Sequence, residues 1–269
     1  MQEAIGYILA SLIGISLGLI GGGGSILTVP VLVYVMGIST TLSTAYSLFI
    51  VGTTALVGSL NYMQRQLVCF RTAIIFSIPS FISVFLVRKY LVPIIPEKIM
   101  QLGSFTLTRD IFLMLLLAIL MLFAALSMIK DKKKIEVLGQ QETGKFNYLL
   151  ISVEGFVVGA ITGLVGAGGG FMIIPALVLF AKLDMKLAVG TSLIIITIKS
   201  LIGFLGDVAN PNLTIDWMFL ILFSTIASAG IFIGAYLSRF IESEKLKKAF
   251  GVFIILMAIY ILVKELLLK

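Results

Sequence analysis

Histidine is absent from the 269 residues, and cysteine occurs once, at Cys69. Without histidine, the usual proton shuttle near neutral pH and the commonest metal ligand are both missing. A single cysteine permits neither an intrachain disulfide nor a thiolate metal cluster, so no metal and no cofactor is expected. Charged residues are scarce too, at 12%, where a soluble domain carries about 25%. No GxxxxGK[ST] phosphate loop occurs, so the chain itself is not expected to hydrolyse ATP. No His/Asp/Glu cluster or carboxylate pair stands at working spacing; an enzyme is not expected and no catalytic residue is assigned. The net charge of +7 comes from 20 Lys and Arg against 13 Asp and Glu. These basic residues lie in short connections between apolar runs, not on a basic face interleaved with aromatics, so no nucleic-acid partner is expected.

Apolar side chains are what the sequence has in excess: 59% hydrophobic residues and a mean hydropathy of +1.16. A globular interior cannot hide that much, so lipid must cover part of it. The expected class is an all-α polytopic membrane protein, multi-pass, in a prokaryotic inner membrane. The apolar segments run over 4–20, 25–36, 42–62, 72–95, 110–129, 147–165, 170–181, 187–206, 216–238 and 247–263. Crossing about 30 Å of hydrocarbon takes about 20 helical residues. Most segments reach that, but 25–36 and 170–181 fall short. Met1-Gln2-Glu3-Ala4 has no basic leader region, so the first segment reads as a retained helix.

The chain repeats itself. Shifting the sequence by 145 residues lays Gly18-Leu19-Ile20-Gly21 on Gly163-Leu164-Val165-Gly166, Gly23-Gly24 on Gly168-Gly169, Pro30 on Pro175, Ser47-Leu48 on Ser192-Leu193 and Gly58 on Gly203. Leucine-rich helices matched by chance would not keep Gly, Pro and Ser in phase. The expected organisation is a first membrane repeat over 1–130, a cytoplasmic linker over 131–146 and a second membrane repeat over 147–269. The linker carries Lys132-Lys133-Lys134, and the positive-inside rule places it in the cytoplasm. Loop 63–71, with Arg65 and Arg71, then falls inside, and loop 206–216, with Asp207 and Asp216, falls outside. Opposite signs in matching loops are what inverted-topology repeats predict; eight plain spans with parallel repeats are the alternative.

Both short segments follow a glycine run, Gly21-Gly22-Gly23-Gly24 and Gly166-Ala167-Gly168-Gly169-Gly170. Non-helical backbone at membrane depth is tolerated where protein buries it or where it lines a cavity. A helix restarting after such a break offers free amides and the positive end of its dipole, which together suit an anion. Each half is therefore expected to hold a glycine-broken re-entrant pair, with Gly22, Gly23, Gly24, Ser25, Gly168, Gly169 and Gly170 around a bound solute. Tight helix packing is the other use for such glycines.

The pattern Gly-Leu-x-Gly-x-Gly-Gly-(Gly/Ser) five or six residues before a proline, with Gly190-Thr191-Ser192-Leu193 after Lys186-Leu187-Ala188-Val189, resembles the sulfite exporter TauE/SafE family of membrane permeases. The resemblance spans both halves, although Ala45-Tyr46-Ser47-Leu48 replaces Gly-Thr-Ser-Leu in the first and Ser25 stands where a glycine is usual. It implies transport of sulfite, a sulfonate or another sulfur-containing organic anion.

Polar groups inside the spans complete the expected site. Lys199 lies two-thirds along its segment and Glu154 about two turns into its own; each costs about 2.5–3.5 kcal/mol at mid-bilayer. Lys199 would neutralise an anionic solute, and Glu154 would pair with it or take a coupling proton. Snorkelling and a structural ion pair are the alternatives. Tyr46, Ser47, Thr191 and Ser192 occupy matched positions and would supply neutral donors, although a membrane hydroxyl often bonds its own helix. The sequence thus points to a secondary transporter exporting a small sulfur oxyanion by alternating access around paired broken-helix N-termini. A passive anion channel, or a permease for another small organic anion, is the alternative. The expected partners are the solute and the lipid bilayer, and a homodimer is left open.

Overall fold

A computed structural model describes residues 2–102, 105–129, 148–179, 181–210, 213–237, 240 and 243–267. The expected linker 131–146 lies outside the described residues. The chain opens with helix α1 (Gln2–Ile20), a 3₁₀ turn over Gly21–Leu27 and the short α2 (Thr28–Tyr34). Two long helices follow: α3 (Thr40–Gln64), then α4 (Phe70–Leu86), which widens into a π-helical turn at Val87–Leu91 before the one-turn α5 (Val92–Ile94). The sequence reading treated the next stretch as a plain connection. It is instead an antiparallel pair, β1 (Lys98–Leu102) and β2 (Phe105–Thr108), with Leu102 opposite Phe105. Then come α6 (Arg109–Ile129), α7 (Tyr148–Val165), α8 (Gly170–Leu179), α9 (Met185–Val208), α10 (Trp217–Leu237) and α11 (Ser243–Leu267).

Five of these stretches are long and apolar enough to cross a membrane: Thr40–Gln64, Phe70–Ile94, Arg109–Leu126, Lys186–Val208 and Trp217–Leu237. Helices α1 and α7 each end where a glycine break begins, at Ile20 and Val165. Helix α4 shows how the sequence divides its faces. Ile74, Ile78, Ile82 and Leu86 are exposed at every fourth position, while Ser77, Ser80, Ser83 and Val84 are buried. This is the apolar-outward arrangement of a helix solvated by lipid, with small residues turned to its neighbours.

Small residues also decide which helices meet. Helix α1 runs alongside α10, with Gly14 against the backbone of Ala227, Gly18 against Ile231 and Gly234, and Gly230 against Ser11 and Gly14. Helix α7 runs alongside α4 in the same way, with Gly155 against Phe76, Gly159 against Ser80 and Gly163 against Val84 and Val87. Position numbers rise together in both pairs, so both are parallel. Helices α3 and α9 pack in the opposite sense: Gly190 meets Tyr62 and Leu67, Gly52 meets Leu201, and Gly203 meets Leu48. A side chain at any of these glycines would push the backbones apart.

The antiparallel α3–α9 pair puts the two matching connections at opposite ends. Just before α4, the Cys69 N–H donates to Thr191 Oγ1 at 2.9 Å. Just before α10, the Asp216 N–H donates to Tyr46 OH at 2.7 Å, and the Tyr46 ring stacks on Phe219. Each half therefore accepts an amide that would otherwise be left over at a helix start in the other half. Helix α11 packs on α6 and also reaches α2, where Tyr34 OH donates to Glu265 Oε1 at 3.0 Å and the Lys264 ammonium lies over the Tyr34 ring.

Candidate functional site between two broken helices

Both glycine runs fold the chain back on itself. In the first, Gly24 lies against Ser16 and Leu17, and Gly6 lies against Met36, so α1 and α2 form a helical hairpin. In the second, Gly169 lies against Thr162. The two turns then touch each other backbone to backbone, Gly22 on Gly170, where a methyl group on either residue would collide with the other. The glycine breaks therefore converge on one place.

They are built differently. Gly21 is left-handed (φ +72°), after which the chain winds as a 3₁₀ turn, so α2 starts at Thr28 and not near residue 25 as the sequence suggested. Ser25 Oγ donates to the Gly22 carbonyl at 2.7 Å and the Thr28 N–H to the Ser25 carbonyl, so this turn satisfies its own polar groups. The second break is open loop. Gly166, Gly168 and Gly169 have φ of +71°, +64° and +66°, a region other residues enter at a cost. Helix α8 then begins at Gly170, and its earliest amides have no carbonyl within the helix to bond. Pro175 lies inside α8 and supplies no N–H to the turn before it.

Helices α3 and α9 supply the walls. Gly22 faces Ile196, and Ser192, Ile196 and Lys199 share one side of α9 by their four- and three-residue spacing. Gly168 faces Val51, and Ser47, Val51 and Thr54 share the corresponding side of α3. Ser47 and Thr54 are fully buried, and their hydroxyls have no hydrogen-bond partner; the neighbouring Ser200 Oγ is in the same condition. Ser192 Oγ instead donates to its own helix at Val189, 2.7 Å away. Of the five hydroxyl residues expected at the site, Ser25, Tyr46, Ser47, Thr191 and Ser192, Ser47 is the one held in reserve. Tyr46 and Thr191 are occupied in accepting the amides described above.

Lys199 is 1% exposed. Its ammonium donates to Thr162 Oγ1 at 2.8 Å, and a methyl group placed on Gly169 would lie 2.7 Å from Nζ. No carboxylate pairs with it among the described residues, which leaves donors of a buried cation to spare. The snorkelling alternative fails, because the side chain is enclosed rather than led to an interface. Glu154 does not pair with Lys199: it sits on α7, only partly buried and outside this cluster. Among the described residues the fully enclosed carboxylates are Asp207 and Glu265, which corrects the expectation that Glu154 is the buried acid.

A second buried cation escaped the sequence reading. Arg88 is carried on the π-helical turn after α4 and is 1% exposed. Its Nη1 donates to Thr44 Oγ1 at 3.0 Å and faces Asp207 Oδ1 at 3.5 Å. On its other side, a methyl group at Gly166 would lie 2.5 Å from Nη2. Asp207, expected in an outer loop, is instead enclosed in the last turn of α9, because Arg88 gives it a partner there. A π-helical turn is a recurrent functional feature of helices. The sequence signal was an arginine well inside a 25-residue apolar span, with an aspartate ending another. The second glycine break therefore has Arg88 at its start and Lys199 at its end.

Comparison with known proteins agrees with this architecture. A protein-family model described as Sulfite exporter TauE/SafE matches residues 7–261. A Xylella fastidiosa protein named "Probable membrane transporter protein" is 29% identical over 254 residues, covering 93% of this chain and 91% of its own length. Partial matches include "Probable membrane transporter protein YunE" of Bacillus subtilis, 30% identical over 44% of this chain and 45% of its own, and a like-named protein of Methanocaldococcus jannaschii, 38% identical over 41% and 43%. No solved structure matches significantly. With its apolar spans and buried polar centre, the chain is a multi-pass membrane transporter and belongs to the sulfite exporter TauE/SafE family.

Proposed function

We propose that the protein is a secondary transporter that exports a small sulfur oxyanion, sulfite or an organosulfonate, by alternating access between two inverted repeats. The observation that carries this reading is the enclosed Lys199 ammonium, without a carboxylate partner, at the meeting point of two broken helices. A buried cation with free donors is a standing attraction for an anion, and the unpaired hydroxyls of Ser47, Thr54 and Ser200 add neutral donors. The family's name supplies the sulfur chemistry. Discontinuous helices meeting near the middle of two repeats are the arrangement around which carriers rock.

The repeat is supported by packing that maps onto itself under the 145-residue shift. Helix α1 on α10 corresponds to α7 on α4, Gly14 corresponds to Gly159, and Gly18 to Gly163. Under the same shift α3 corresponds to α9, and these two are antiparallel, as inversion requires. Lys199, Ser47, Thr54 and Ser200 are all enclosed, so the arrangement fits an occluded state that opens by motion of one half against the other. With the cell interior negative, the membrane potential drives an anion outwards.

Reconstituted protein should take up labelled sulfite, taurine or sulfoacetate with saturation and accelerated exchange against the same anion. Saturable flux supports a carrier, flux without saturation supports a channel, and no flux of any sulfur anion removes the substrate assignment. For topology, native Cys69 should react with an impermeant thiol reagent from one side only, and Leu213→Cys in a Cys69→Ser background from the other. Labelling of both from one side would end the inverted arrangement.

A further inference from the structure

The Arg88–Asp207 pair is too incomplete to be only a structural ion pair. A guanidinium beside a carboxylate settles into short, parallel bonds of about 2.7–2.9 Å when the pair exists for stability. Here a single contact of 3.5 Å joins them. Arg88 Nε and Nη2 have no hydrogen-bond partner, and neither has Asp207 Oδ2, although both residues are enclosed. Leaving three such polar atoms unpaired away from water is costly, and half-satisfied networks of this kind concentrate where a ligand or a moving part completes them. The unpaired Nη2 also lies beside Gly166, together with Thr44, so it faces the open loop whose far end meets Lys199.

Building on the transport reading above, we propose that Arg88 is a second anion-holding residue and that Asp207 is its internal competitor, holding Nη1 while the site is empty and yielding when a solute oxyanion arrives. The charges support this. Two buried cations, Arg88 and Lys199, stand at the two ends of the loop, and one buried carboxylate, Asp207, lies beside Arg88, which leaves a single positive charge for one monoanion to cancel. The loop between the two cations is glycine at three of its four positions 166–169, which lets its backbone come close to both Arg88 and Lys199. Thr44 Oγ1 holds Nη1 from α3 and keeps the guanidinium plane in place while its carboxylate partner changes.

Around the pair, α3 contributes the neutral Thr44, the second break contributes Gly166, and α4 contributes Arg88 with the backbone of Lys89. Among the described residues, Arg88 and Asp207 form their ion pair with each other. Lys199 lies two turns earlier on the helix that carries Asp207. An internal competitor makes a prediction that a structural pair does not: removing it should improve binding.

The test is binding of a sulfonate whose own charge stays fixed across the neutral range, with sulfite as a second probe, to the full-length protein in detergent. It uses Asp207→Asn, Arg88→Gln and the Arg88→Gln/Asp207→Asn double variant. Asp207→Asn should bind about tenfold more tightly, and Arg88→Gln and the double variant about tenfold or more weakly. The double variant buries no lone charge, so its folding is protected if Arg88→Gln alone misfolds. Unchanged or weaker binding in Asp207→Asn would overturn the proposal, as would wild-type binding in the double variant. If the wild type ignores sulfur anions but binds nitrate or acetate in an Arg88-dependent way, the substrate class falls and the role of Arg88 stands.

Discussion

The two glycine breaks began as matching stretches of sequence and have become different objects. The first winds as a 3₁₀ turn that bonds its own backbone and its own serine; the second stays open, with three left-handed glycines. Their surroundings diverge at corresponding positions: Leu17 in one half answers to Thr162 in the other, and Thr54 answers to Lys199. One pair of changes therefore installs both the cation and the hydroxyl that steadies it, beside the second break alone. A shared scaffold can place two turns at one point while only one of them carries charge, which is enough when the guest is small and singly charged.

That asymmetry can be broken most severely at Lys199. Lys199→Met should cut sulfur-anion flux about a hundredfold, since losing one partner of a buried charge contact costs about 2–5 kcal/mol. Thr54→Val, at the corresponding position, should cost about threefold, the scale of one neutral hydrogen bond. Near-equal losses in the flux assay would mean that the two halves share the solute evenly.

The open loop can be tested through its backbone. Gly169→Ala must place a side chain at φ +66° against Thr162 and Lys199, and should lower stability by about 3 kcal/mol from strain and crowding together. Gly37→Ala has a similar φ of +70° but open space around it, and should lose only about 1 kcal/mol. Thermal unfolding in detergent reads both, and equal shifts would show that crowding at the second break is unimportant.

The smallest effects belong to the reciprocal amide acceptors. Tyr46→Phe and Thr191→Val each strip one acceptor from a helix start and should each cost about 1 kcal/mol of stability, with flux reduced no further than folded yield. A large loss of flux in either, with the unfolding midpoint unchanged, would instead make that hydroxyl a contact of the solute.

Much of this architecture could be read from the chain. Each apolar segment coincides with a helix to within a few residues, because a lipid-solvated helix announces itself by length and hydropathy. The glycine runs marked the turns because so many consecutive positions without a side chain have few other uses. The hairpin of β1 and β2 was hidden by its shortness and by lying between two strong helical signals. Arg88 and Asp207 were hidden for another reason. Averaging over a span dilutes one charge, and its partner lies on another helix 119 residues away, so neither end explains itself alone. The 3₁₀ form of the first break depends on Ser25 reaching Gly22, a choice that composition does not reveal.

The exchange of partners between halves has a bearing on how the protein is made. Helix α1 is made well before α10, which lines the groove it fills. Until α10 is made, the glycine-rich side of α1 has only lipid or an insertion factor to rest on, so α1 must be sheltered while the helices between them are synthesised.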